Sequence, residues 1–297
     1  MSESQGLPSF NALTGRPQRI KVVDIGANPL FESPYLKLLK SGEADVIGFE
    51  PNPEALAKLN AAKGPNETYL PHAIGDGAKH ILNVCFAPGM TSLLTPNPAV
   101  LNLFHGFPAW SKIMETVEVE TKCLDEIPEL VGTELLHMDI QGAELMALNH
   151  AEQRLKDVLV IQTEAEFLQM YIDQPLFSDI EIHLRQRGFV FHRFYPTVSR
   201  VFSPMIVGND ILSGLSQLLW ADAIFVRDFT RLDLLTETQL LKTAMILHDC
   251  YQSFDLALRL LTEVDARSGS QLGNAYLAGL VSGQPQAQPV AAQAAAG

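Results

Sequence analysis

The chain has 297 residues, 47% of them apolar, which suits one large α/β domain with an appendage. Its 34 acidic and 21 basic residues leave a formal charge of −13, which argues against a nucleic-acid or anionic-membrane partner because phosphate binding needs a basic surface. Cys85, Cys123 and Cys250 are far apart and odd in number, with no Cys-x-x-Cys pair; a disulfide framework and a structural zinc site are disfavoured, and a reducing cytoplasm fits.

In chain order, residues 1–18 read as a flexible arm. Their polar start lacks a basic stretch followed by an apolar run, so no signal peptide is expected, and no apolar run is long enough to span a bilayer. "IKVVDI" (20–25) reads as a buried strand, "SPYLKLLKSG" (33–42) as a helix ending at Gly42, and "DVIGFE" (45–50) as a second strand. A helix over 52–64 has Pro53 near its first turn, and "TYLPHAI" (68–74) is a third strand. After a long interval "ELLHMDI" (134–140) is a fourth strand, followed by a helix over 142–155 and a fifth strand, "DVLVIQTE" (157–164). A helix over 177–188 leads into the strand "FVFHRF" (189–194), and "LLWADAIFVRDF" (218–229) is the last strand. Residues 231–282 show helical spacing only and read as a helical cap, for dimerisation or substrate access. The Gln/Pro/Ala-rich stretch 283–297 reads as a disordered tail.

Alternating strands and helices imply right-handed crossovers and a mostly parallel sheet covered on both faces. Ligands then sit outside the carboxyl ends of the strands, so Asp24, Glu50, Asp139 and Glu164 carry the most weight. After the first strand, "DIGANP" has Gly26, but Asn28 and Phe31 stand where a dinucleotide fingerprint needs glycine. Glu50 follows Gly26 at the distance expected of an acid that binds a ribose diol.

"VVDIGANP", "VIGFEPNPEALAKLN", "PHAIGD", "KCLDEI" and "LLHMDIQGAELMAL", in this order and spacing, resemble the FkbM family of S-adenosylmethionine-dependent methyltransferases over about residues 20 to 195. The resemblance implies a class I methyltransferase, Rossmann-like fold: a seven-stranded, mostly parallel sheet with helices on both faces and the last strand antiparallel beside the fifth, here with a C-terminal helical extension. It makes residues 19–230 the S-adenosylmethionine-binding domain, and it implies methyl transfer to oxygen, commonly a hydroxyl of a sugar, glycan or related small molecule. Asp24, Gly26, Ala27 and Asn28 match the first cofactor turn, Glu50 the ribose acid, and Asp76 a side chain beside the adenine. Leu30 stands where such families carry a further Gly, and His137 where members carry Lys.

The turn "HMDIQGAE" (137–144) holds the candidate chemistry. Strand alternation puts His137 and Asp139 on one side, with Gln141 and Gly142 making the turn and Glu144 in the first turn of the next helix. Methyl transfer to a hydroxyl needs a proton acceptor aimed at that hydroxyl, a role open to Asp139 or His137. Glu164 and Glu166, of one parity in the fifth strand, suit acceptor hydroxyls. Thr91 and Ser92 are expected to approach the cofactor. The interval 75–133 reads as an extra hairpin and an aromatic lid with Phe104, Phe107 and Trp110, which could equally form a satellite core. His72, His105, His183 and His192 read as ordinary core or surface residues, and no His/Asp spacing demands a metal. An NAD-dependent oxidoreductase and a non-catalytic binding module are the alternatives.

Overall fold

The structure, a computed structural model, describes residues 7–27 and 33–283. The chain forms two compact units: Arg19–Leu234, and Met1–Gln18 with Leu235–Gly297.

The larger unit is built on a seven-stranded sheet. In chain order its elements are β1 (Ile20–Ile25), α2 (Leu36–Lys40), β2 (Ala44–Phe49), α3 (Pro53–Ala62) and β3 (Glu67–Leu70). Next come β4 (Ala73–Ile74), β5 (Lys79–Cys85), the short helices α4 (Pro98–Leu101) and α5 (Phe107–Trp110), and β6 (Ile113–Lys122). β7 (Leu135–Met138), α6 (Glu144–Asn149), β8 (Val160–Glu166), α7 (Phe177–Arg185), β9 (Phe189–Arg200) and β10 (Gln217–Arg227) follow. The order across the sheet is β3-β2-β1-β7-β8-β10-β9, with β10 antiparallel to both neighbours and the remaining pairs parallel. This is the predicted arrangement: the last strand in sequence lies beside the fifth.

Burial explains why these segments are strands. Val22, Val23, Ile25 and all seven residues of β8 are buried, the pattern of central strands covered on both faces. Val23, Ile25, Leu136, Met138, Ile161 and Phe225 pack with Leu148, Leu155, Ile180 and Leu184 into one apolar core. The opposite parity carries Asp24, His137, Gln162, Glu164 and Glu166, so the other face turns polar toward the carboxyl ends.

Several boundaries differ from the sequence reading. The third strand is split: Glu67–Leu70 joins the large sheet, while Ala73–Ile74 pairs with β6 in a separate three-stranded sheet of order β4-β6-β5. Pro71, which has no N–H for a ladder, stands at the break. The helices expected over 33–42 and 142–155 shrink to Leu36–Lys40 and Glu144–Asn149. The extra hairpin exists, but as β5 and β6. The aromatic lid is a satellite core: Phe104 and Phe107 are buried with Leu101, Met90 and Tyr171, and Trp110 packs against them.

The smaller unit holds α1 (Phe10–Thr14), α8 (Glu237–Asp249), α9 (Phe254–Ser268) and α10 (Leu272–Gly283). The helical spacing read after residue 231 is present as α8, α9 and α10. Residues 7–18 are not a loose arm. Ser9 accepts from Ala12 N–H as the cap of α1, and Gly15 closes the helix at φ 62°. Phe10 is fully buried against His248 and Tyr276. The segment is tied down because His248 Nε2 lies 3.0 Å from Pro8 O, and Phe10 N–H donates to Asp249 at 3.1 Å. The expected tail, 283–297, lies outside the described residues but for Gly283 at the end of α10.

Candidate active site

The carboxyl ends of β1 and β7 are locked together by backbone. Asp139 N–H donates to Ile25 O at 3.0 Å, and a Cβ on Gly26 would stand 2.0 Å from Asp139 O. Gly26 also has φ +86°, so only glycine fits there. The N–H groups of Gly26 and buried Ala27 both donate to Phe49 O, which fastens this turn to β2 as well. Asn28 and Leu30 lie outside the described residues.

On the polar face, Asp24 is 3% exposed and doubly engaged. Tyr35 donates its hydroxyl to Oδ2 at 2.5 Å, and His137 Nδ1 lies 2.6 Å from Oδ1. Burial and the Asp24 charge hold the Tyr35 proton on well above the ordinary range. Burial alone would lower the His137 pKa, but the charge and hydrogen bond of Asp24, with Asp139 and Asp222 behind them, raise it on balance. Pairing with Asp24 therefore favours the imidazolium form of His137. Its register neighbour Gln162 donates to Asp222 Oδ2 at 2.6 Å, and burial pushes the Asp222 carboxyl up.

The turn after β7 is organised by Gln141, at φ 55°. Its amide donates to Asp139 Oδ1 at 2.6 Å and to Glu164 Oε2 at 2.8 Å. Tyr171 donates to the Gln141 side-chain oxygen at 3.1 Å, and Ser92 donates to its carbonyl at 2.6 Å. Glu144, 1% exposed, accepts from Ile140 N–H at 2.8 Å and so ties the turn to α6. Burial, opposed by backbone donors, pushes Glu144 up to about 7. Burial first, then neighbouring carboxylates, pushes Glu164 and Glu166 well above the carboxylate range. Asp139, Glu144 and Glu164 each place one oxygen so that all three lie within 4.8 Å of one another.

The remaining sequence candidates fall as follows. Glu50 sits just beyond β2, half-buried, with Oε1 accepting from Asn52 N–H at 2.7 Å, and burial raises its pKa. Asp76 belongs to the β4–β5 connection: it accepts from Ala78 N–H at 2.9 Å and from Thr121 at 3.2 Å and lies 2.7 Å from His80 Nε2. The His80 bond leads in holding its carboxyl down to about 2. Ser92 is 1% exposed and its hydroxyl is engaged by Gln141 O and Leu94 N–H. Asp24, His137, Asp139 and Glu164 are thus brought to one polar face, while the Ser92 hydroxyl is engaged by the Gln141 turn and Asp76 Oδ1 by its own hairpin. Sequence reasoning missed Tyr35, Tyr171, Gln162, Asp222 and the bridging role of Gln141. A polar residue breaking an otherwise apolar strand, as in "VIQTE" and "WADAIF", was the available signal for Gln162 and Asp222.

Residues 24–191, more than half of the chain, match the methyltransferase FkbM domain. The chain belongs to that family, as the sequence motifs suggested. No curated protein matches it. Among solved structures, a protein of Thermoplasma acidophilum assigned as a methyltransferase is 8% identical, covering 71% of this chain and 70% of its own, with a TM-score of 0.36. A SAM-dependent methyltransferase of Aquifex aeolicus is 12% identical over 71% of this chain and 85% of its own, TM-score 0.31. The 23S rRNA methyltransferase ErmE is 12% identical over 86% and 96%, TM-score 0.31. No helix among the described residues is long and apolar enough to cross a membrane.

Proposed function

We propose that the chain transfers a methyl group from S-adenosylmethionine to a hydroxyl of a sugar, glycan or related small metabolite. The observation that carries this reading is the polar face at the carboxyl ends of β1, β7 and β8, with Glu50 next to it at the end of β2. A cofactor with a ribose diol fits the residues present. Glu50 is a half-buried acceptor without a cation partner among the described residues, and two vicinal hydroxyls supply the donors it lacks. Gly26 lets the β1 turn close directly on the Asp139 backbone, which brings the two strand ends of the cofactor crevice together. Bound there, the cofactor supplies an electrophilic methyl group on sulfur.

The chain's own residues then orient the acceptor and take its proton. Asp139 is exposed, with Oδ1 fixed by Gln141 and Oδ2 without a hydrogen bond among the described residues. It is the outermost carboxylate of the turn and the group we assign to the acceptor proton. His137 lies one step deeper and is held by Asp24, which suits a positioning role. Glu164, whose proton burial and neighbouring carboxylates hold more tightly than usual, can hydrogen-bond an acceptor hydroxyl. The odd number and wide spacing of the cysteines, with no Cys-x-x-Cys pair, support a reducing, cytoplasmic setting.

Calorimetric titration with S-adenosylmethionine, S-adenosylhomocysteine and NAD tests the reading. The first two should bind and NAD should not. Glu50→Ala should weaken S-adenosylmethionine about tenfold to hundredfold, the worth of a hydrogen bond to a charged group, with an unchanged circular-dichroism spectrum. Binding of NAD alone would replace the methyltransferase reading with the oxidoreductase one.

A further inference from the structure

The carboxylates around Gln141 are more numerous than proton transfer requires. An ion centred among three oxygens spread to the 4.8 Å limit would lie about 2.8 Å from each, and a small inward shift reaches the roughly 2.0–2.6 Å of magnesium or calcium bonds to oxygen. The three are already aimed. Gln141 holds one oxygen of Asp139 and one of Glu164, and Ile140 N–H holds one of Glu144. Outer donors of this kind fix the orientation of metal ligands. The leading charged neighbours acting on Glu144, Glu164 and Glu166 are carboxylates.

Glu166 is a separate sign that something is missing from this place. It is 2% exposed, on the same side of β8 as Glu164, whose proton its charge helps to hold, and it feels the charges of Glu144 and Asp139 in turn. Gln174 lies beside it, yet neither Glu166 Oε2 nor Gln174 Nε2 has a hydrogen bond of normal geometry. A buried carboxylate oxygen without a donor of normal geometry, on the strand face that carries Glu164, is costly unless a proton or a cation joins it.

We propose that Asp139, Glu144 and Glu164 bind a hard divalent cation, magnesium or manganese, with Glu166 holding the ion or its water. An all-oxygen donor set selects such ions over zinc. The ion's open positions face the crevice, where two neighbouring oxygens of an acceptor could complete its shell and one hydroxyl would be acidified. That last consequence rests on the methyl-transfer reading; the ion site does not.

The test is a titration of the full chain, without cofactor, with manganese, reading free manganese by paramagnetic resonance. One manganese per chain should bind and be displaced by magnesium. Glu164→Gln and Asp139→Asn should each weaken binding about tenfold or more, since losing even an outer partner of a metal ligand costs about 10–100-fold. Asp139 is exposed, so its variant keeps the test valid even if Glu164→Gln fails to fold. Absence of stoichiometric binding, or equal affinity in the folded variants, overturns the site and leaves carboxyls that only share protons. Because no cofactor is present, a failed ion site and a failed methyltransferase reading remain distinguishable.

Discussion

The buried Glu144 carboxyl gives a measurable pH dependence whatever the substrate. Its pKa rises from an ordinary 4.5 to about 7 in the folded chain, chiefly because burial disfavours the charge. Between those values the folded state keeps a proton that the unfolded state has lost. Stability from this group is therefore complete below about pH 4.5 and falls as pH rises to about 7. A gap of roughly 2.5 pH units corresponds to about 3 kcal/mol, a large share of the stability of a domain. Glu144→Gln keeps an acceptor oxygen for Ile140 N–H and does not titrate, so it isolates the effect. Relief of Glu164 and Glu166, which feel the same charge, acts in the same direction. The assay is urea unfolding of both chains at pH 4.5, 6 and 8, with a chelator present, followed by tryptophan fluorescence. Trp110 and Trp220, the chain's two tryptophans, both report on the larger unit. Wild-type stability relative to the variant should fall by about 3 kcal/mol from the lowest pH to the highest. A difference that stays constant to within about 0.5 kcal/mol would show that Glu144 is ionised in the fold, and the reasoning on the buried carboxylates would go with it.

Gly26→Ala should cost about 1–2 kcal/mol from the left-handed backbone alone, and more from the clash with Asp139 O, which is backbone and cannot swing aside; thermal unfolding and S-adenosylmethionine affinity should both drop, and a variant of wild-type stability and affinity would mean the two turns are not in contact. Asp139→Asn should lower turnover by on the order of 10²- to 10⁴-fold with cofactor affinity kept, since it removes the proton acceptor and not the shape. His137→Ala, measured beside it, should cost less and move the pH–rate profile; the reverse ranking would exchange the two roles, and two active variants would make the turn a mere junction.

The sheet was legible because its central strands are continuous apolar runs, and strand parity alone put His137 and Asp139 on one face. The split at Pro71 was in principle legible too, since proline cannot donate to a ladder. The same holds for α1, where "SFNALTG" has a serine cap and a closing glycine around a five-residue helix. What no local pattern reveals is the Gln141 hub. Its left-handed backbone and its bonds to Ser92 and Tyr171, 49 and 30 residues away, exist only once β7, β8 and the satellite core have assembled. Asp76 is similar: its motif position suggested the cofactor, and only the assembled hairpin shows that its Oδ1 also gathers His80, four residues on, and Thr121 across the hairpin.

The placement of charge also separates site from scaffold on energetic grounds. Glu144, Glu164 and Glu166 are each at most 9% exposed, and each is held above its ordinary pKa by burial. Replacing buried ionisable groups with apolar residues of similar volume is often neutral or stabilising, so the fold alone does not call for three acids here. Other acids of the unit serve the fold in a recognisable way: Asp76 organises a hairpin, and Asp45 pairs with Arg19 at the surface. The acids beside Gln141 instead destabilise one another, and they do so at the carboxyl ends of the strands beside the switch of strand order, where ligands of such sheets bind. Mutual repulsion in that one place is what a site built to receive a proton, a hydroxyl or a cation must accept before its ligand arrives.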